Sequence, residues 1–188
     1  MHIITTDIPD VKLIRPQKHS DSRGWLAETS RRSAFAAAGV PYDWAQENFV
    51  HSRASGTLRA LHFQAPPEAQ GKFLTVVRGA IYDVALDLRR GSPSFGRHVD
   101  VQLDSETITQ IWIPAGFAHG YLTLEPDTDV LYRVTAPYAP AAERGIRRND
   151  PALGIAWPSA PNLSVNARDE HWPLLAEIVS PFTYGEDP

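Results

Sequence analysis

Residues 75–88, TVVRGAIYDVALDL, place two runs rich in β-branched and aromatic residues on either side of Arg78-Gly79. Val, Ile and Tyr lose rotamer freedom in a helix but pack well on a pleated surface, and a glycine between two such runs supplies the backbone freedom a tight turn needs. The stretch reads as a β-hairpin. Outward from it, HVDVQL (98–103), TQIWIP (109–114), GYLTL (120–124) and DVLYRVT (129–135) continue as short strands separated by Gly, Pro or Asp, the spacing of a sandwich or barrel. RRSAFAAAG (31–39), closed by Gly39, and HWPLLAEI (171–178) suit short helices, but neither alternates with strands in a βαβ rhythm. Sixteen prolines fit a chain with many corners. The expected fold class is all-β with a few short helices.

The chain has 188 residues, enough for one well-buried core, and no linker-like segment divides it, so residues 1–188 are expected to form a single domain. Charged residues make up 21% and hydrophobic residues 43%, an ordinary globular balance. MHIITTDIPDVKLIRP carries neither an apolar signal core nor an arginine-rich transit pattern, and no apolar run approaches the roughly 20 residues that span a bilayer, so a cytoplasmic, membrane-free protein is expected. The absence of cysteine excludes disulfides, thiolate catalysis and cysteine-ligated metal sites. A net charge of −4 argues against a nucleic-acid binder while allowing a local basic pocket.

Chemistry concentrates in a few stretches. LRALHFQ (58–64) has strand character yet carries Arg59 and His62, the latter being the side-chain type that most readily changes charge near neutral pH. In the hairpin reading, Lys72 and Asp83 lie near each other across the ladder; alone they read as an ion pair worth at most about 1 kcal/mol. PAGFAHG (114–120) sets His119 directly after a turn, and LYRVTAPY (131–138) supplies the phenols of Tyr132 and Tyr138. DSRGWLAE (21–28) places Arg23 and Glu28 around a glycine, and QEN (46–48) supplies Gln46 and Asn48; in isolation these are turn and hydrogen-bonding residues.

Together, and in the same order, DSRGWLAE, QEN, LRALHFQ, QGKFLTVVRGAIYDVALDLRRGSPSFG, IPAGFAHGY, LYRVTAPYAP, ERGIRRNDP and RDEHWP resemble the dTDP-4-dehydrorhamnose 3,5-epimerases over nearly the whole chain. The resemblance implies a cupin-like β jelly roll, or double-stranded β-helix, assembled as a homodimer and needing no metal or other cofactor. It implies a dTDP-linked 4-keto-6-deoxy sugar as substrate and a place in making rhamnose for lipopolysaccharide or other cell-surface polysaccharide. Carried over by motif, His62 is the catalytic base, Tyr132 the proton donor, Asp169 the partner of the histidine and Lys72 a catalytic lysine of the sugar pocket. Asp83 and Tyr138 match the pocket as well. Arg23, Glu28, Gln46, Asn48, Arg59, His119, Glu143 and Arg168 match positions that bind the diphosphate, deoxyribose or thymine. The sequence departs from the family pattern at Ala60, where glycine is usual, at Trp25, where phenylalanine is usual, and in SVNARD (164–169), where a serine commonly lies three residues before the aspartate.

The chemistry implied is consistent with these residue types. A ketone at C4 acidifies the C3 and C5 hydrogens, so an imidazole can remove one if the charge moving onto the C4 oxygen is stabilised, here by Lys72. Inversion then needs a proton from the other face, from a different group. Arginine suits a diphosphate because its planar fork makes paired, charge-assisted hydrogen bonds. One difficulty remains: strict alternation puts Arg59 and His62 on opposite faces of a strand, so either Arg59 precedes the regular strand or a bulge shifts the register. Three other readings stay open. A single-centre epimerase would act at C3 or C5 alone; a metal-dependent cupin would use His62, Glu68 and His119; a non-catalytic sugar-nucleotide binder would need no acid and base.

Overall fold

The computed structural model describes residues 1–186. In chain order the elements are β1 (His2–Thr5), β2 (Lys12–Arg15), β3 (Lys18–Asp21), β4 (Gly24–Ala27), α1 (Arg32–Ala37), β5 (Gln46–Ser52), β6 (Thr57–Gln64) and β7 (Lys72–Arg78), followed by β8 (Ala80–Asp87), β9 (His98–Asp104), β10 (Gln110–Ile113), β11 (Phe117–Thr123), β12 (Thr128–Val134), β13 (Glu143–Gly145) and β14 (Ser164–Val165). Two sheets carry the molecule. The first runs β1-β2-β10-β7-β12-β5; the second runs β13-β6-β11-β8-β9, with β14 added to β6. All pairings are antiparallel except β14 on β6. This is the mostly-β, two-sheet architecture expected of a jelly roll. Among the described residues no helix is long and apolar enough to cross a membrane.

The hairpin reading of 75–88 is corrected. Both halves are strands, but β7 pairs with β10 and β12 whereas β8 pairs with β11 and β9. At Gly79, whose φ of 77° suits glycine, the chain crosses from one sheet to the other. A two-sheet fold gains more from this crossover, because the apolar inner faces of β7 and β8 then bury against each other. Lys72 and Asp83 are therefore not ladder partners but lie on facing sheets. The helix expected over RRSAFAAAG forms as α1 and buries Phe35 completely. HWPLLAEI forms only a 3₁₀ turn, Leu175–Glu177. The carbonyls of Trp172 and Pro173 are taken by Arg147, through its side chain and backbone N–H respectively, which leaves that stretch extended.

Between the sheets, Leu74, Val76, Ile111, Ile113 and Val130 of the first pack against Ile81, Ala85, Val99, Leu103 and Phe117 of the second. Outside the second sheet, Leu58, Val84, Leu86 and Leu122 are covered by Ile146, Leu153, Trp157 and Phe182 from the C-terminal segment. Outside the first, Phe73 and Trp112 are covered by Phe35 of α1 and by Trp44. The inter-sheet core fills one end of the sandwich; the other end is an open cavity of about 610 Å³ with many polar walls.

Candidate active site

Adjacent residues in a ladder share a face, so register decides which side chains meet in the cavity. On the second sheet, Tyr121 of β11 lies opposite Arg59 of β6 and Asp83 of β8; His119 lies opposite His62 and Ala85. Two steps along β11 thus match three along β6. The extra residue is a bulge that returns Arg59 and His62 to one face, which resolves the alternation difficulty in favour of a shifted register. On the first sheet, Lys72 lies opposite Val134, itself opposite Gln46, and Leu74 lies opposite Tyr132, itself opposite Asn48. Lys72, Tyr132, Gln46 and Asn48 line the wall facing Arg59, His62 and His119.

His62 Nε2 lies 2.7 Å from Asp169 Oδ1. Asp169 is 2% exposed, and its other oxygen accepts the Ala60 N–H at 3.4 Å. Burial alone would push this carboxyl up, but the hydrogen bond and charge of His62, the Ala60 N–H and the nearby Trp172 indole outweigh it and hold Asp169 below the usual carboxylate range. An ionised Asp169 fixes the imidazole and leaves Nδ1 as its free ring nitrogen. The Trp172 ring stands edge-on to His62 at 6.3 Å, packed so closely on Gly145 that a Cβ there would fall 2.5 Å from the indole.

Lys72 Nζ donates to the His62 carbonyl at 3.2 Å. Burial lowers its pKa to about 8, against the opposing pull of Asp83 and Glu143. His119 Nε2 is 2.8 Å from Asp83 Oδ2, and burial, aided by Lys72 and His62, lowers the imidazole despite that carboxylate. Burial raises the Tyr132 phenol, while Arg59 draws it down. At the mouth, Arg168 makes a two-pronged ion pair with Glu143 at 2.7 and 2.9 Å, and the Tyr138 hydroxyl donates to the same carboxylate at 2.7 Å.

Most of the residues expected from the sequence come together in this cavity: His62, Tyr132, Asp169 and Lys72, with Arg59 and His119, and with Gln46, Asn48, Tyr138, Glu143 and Arg168 toward the mouth. Asp83 sits behind His119, fully buried and off the cavity wall. Arg23 and Glu28 do not line the cavity. They lie on and beside the β3–β4 hairpin, where Arg23 pairs with Asp21 and Glu28 with Arg31. The metal set His62, Glu68 and His119 is not assembled: both histidines present Nε2 to a carboxylate, Glu68 is not in the wall, and the described residues contain no group of three His, Cys, Asp or Glu placed to hold a metal. Sequence reading passed over Gln64, whose amide holds Ala139, Pro137 and Glu68 and so anchors the loop carrying Tyr138. It also passed over Tyr121, although alternation from His119 within PAGFAHGY puts both on one face.

Comparison with known proteins follows the same lines. The sequence model of dTDP-4-dehydrorhamnose 3,5-epimerase matches residues 5–177. A dTDP-4-dehydrorhamnose 3,5-epimerase of Sinorhizobium fredii is 43% identical over 184 residues, covering 98% of this chain and 94% of the relative. The crystal structure of dTDP-6-deoxy-D-glucose-3,5-epimerase from Legionella pneumophila in complex with dTDP-4-keto-L-rhamnose superposes with a TM-score of 0.92 at 37% identity, covering 98% and 99% of the two chains. ChmJ, a 3′-monoepimerase from Streptomyces bikiniensis in complex with dTDP-quinovose, gives 0.88 at 38% identity over 98% and 93%.

Proposed function

Because the chain belongs to the dTDP-4-dehydrorhamnose 3,5-epimerase family, we propose that it converts dTDP-4-dehydro-6-deoxyglucose to dTDP-4-dehydro-L-rhamnose with an acid and a base drawn from facing sheets. It is an epimerase, an isomerase of dTDP-sugars. In the proposed mechanism, Nδ1 of His62 takes the proton from C3 or C5 of the 4-keto sugar. The electron pair moves through the ring carbon onto the C4 oxygen, where the Lys72 ammonium stabilises the enolate. Tyr132 returns a proton to the opposite face of the same carbon, and ionised Asp169 stabilises the imidazolium. The observation carrying this reading is that His62 and Tyr132 line opposite walls of one cavity, with Lys72 beside them. No step calls for a redox change, so the residues suffice without a cofactor.

At the other end of the ligand, Arg59, with His119 next to it, takes the diphosphate, while Gln46, Asn48, Tyr138, Glu143 and Arg168 receive the deoxyribose and thymine. Arg23 and Glu28 reach the nucleotide in a homodimer, from the partner copy.

A second reading, inversion at one carbon only, has a specific observation behind it: the 3′-monoepimerase, at 38% identity, matches this chain in sequence as well as the Legionella enzyme does at 37%. One experiment tests both. With dTDP-4-dehydro-6-deoxyglucose in deuterated water, NMR should find deuterium at C3 and at C5; label at one carbon would establish the single-centre reading, and none would leave a binder.

A further inference from the structure

Four buried side-chain polar atoms among the described residues have no hydrogen-bond partner, and one of them, Tyr121 Oη, belongs to a residue that lines the cavity. Tyr121 is 4% exposed. An unpartnered buried hydroxyl is destabilising where Phe would fill the same space, so its presence calls for an acceptor outside the chain. Asp83, its neighbour on β8, also has one unpartnered oxygen, and no hydrogen bond joins that oxygen to the phenol. On its other side, directly across the ladder on β6, is Arg59. The Arg59 side chain lines the cavity and makes no ion pair with a carboxylate among the described residues. Burial pushes the Tyr121 phenol up to about 12 while Arg59 draws it down, so it is a neutral donor within reach of the guanidinium field. A buried O–H and a guanidinium with no anion, side by side on one wall, have a shared complement: an oxygen carrying negative charge.

We propose that Tyr121 Oη and the Arg59 guanidinium are two donors of one oxyanion subsite that holds a diphosphate oxygen of the bound dTDP-sugar. The inference rests on the reading that Arg59 faces the diphosphate, and it adds a neutral donor that no family motif assigned. Lys72 already serves the oxygen of the sugar, which leaves the phosphate end as the place where a second donor beside Arg59 is used.

Tyr121→Phe keeps the ring and removes only the hydroxyl. Titration calorimetry should show the dTDP dissociation constant rising about tenfold, equivalent to about 1.4 kcal/mol. Thymidine, which lacks phosphate, should bind as to wild type in an NMR titration. Melting of the ligand-free variant should occur at the wild-type temperature or above it, since an unsatisfied hydroxyl has been removed. A dTDP affinity within twofold of wild type, or an equal loss for thymidine, would overturn the subsite. Arg59→Ala measured alongside separates the two levels. If it leaves dTDP affinity unchanged, the diphosphate reading of this wall fails and the subsite with it; if it weakens dTDP binding while Tyr121→Phe does not, only the subsite fails.

Discussion

In the proposed mechanism, Tyr132 is the residue at which proton abstraction and reprotonation separate. Tyr132→Phe removes the phenolic proton and keeps the ring packed beside Leu74 and Asn48, so fold and substrate binding should survive. His62 can still form the enolate and return solvent deuterium to the original face. The variant should therefore exchange substrate hydrogen faster than it inverts configuration, and both rates can be read by NMR in one sample. If exchange and inversion fall together, Tyr132 is not the acid. Lys72 governs a different observable. In the proposed mechanism it stabilises the enolate only while protonated, and burial lowers its pKa to about 8. The charged form lies below that value, so kcat/KM should decline as pH rises through about 8, and Lys72→Arg, charged throughout, should move this alkaline limb upward. A limb that stays in place would assign it to another group.

At the scale of elements, the bulge in β6 does the positioning and is the least visible feature in the sequence. Strand type could be read because Leu58, Leu61 and Phe63 suit a pleated surface, and short strands from β9 to β12 could be read in the same way. Sheet membership could not, since a glycine between two strands serves a hairpin and a sheet-to-sheet crossover equally well, and only tertiary burial separates them. The bulge likewise depends on contact across the ladder. Gly120 faces Ala60, and a Cβ at Gly120 would fall 2.5 Å from Ala60 Cβ and 2.8 Å from the Arg59 carbonyl. The methyl that this chain carries at position 60 is thus accommodated by the missing one at 120. Gly120→Ala should destabilise the protein by about 1–3 kcal/mol in urea unfolding, the usual cost of overpacking. Activity should fall further than stability explains, because the shift displaces the step that sets Arg59 and His62 on one face. An unchanged midpoint would show that β6 and β11 relax freely.

For the whole molecule, Arg23 and Glu28 show where one chain falls short. Both follow family motifs for nucleotide binding, yet in the single chain they belong to a two-stranded arm, with the Arg23 side chain 88% exposed and Trp25 and Leu26 presenting 53% and 71% of their surfaces. The sequence could show their chemistry but not whose cavity they serve, since an arm outside its own cavity can serve either its own chain or a second copy. Large exposed apolar residues beside an arginine fit an arm that lies against another copy rather than in water. Arg23→Ala should then weaken dTDP binding by about 1.5–3 kcal/mol, the range for a hydrogen bond to a charged group, and light scattering of the protein should report a dimer. A mixed dimer identifies the owner of the site. In a pair made of one Arg23→Ala chain and one His62→Ala chain, an arm that reaches across gives the Arg23→Ala chain's intact His62 a wild-type arm from its partner, so one cavity is complete. If the arm serves its own chain, each cavity keeps one defect. Co-expressed and purified by two different tags, the mixed dimer should recover about half the activity per dimer at low substrate, where the two homodimers show little; activity no higher than the mean of the homodimers would return the arm to its own chain.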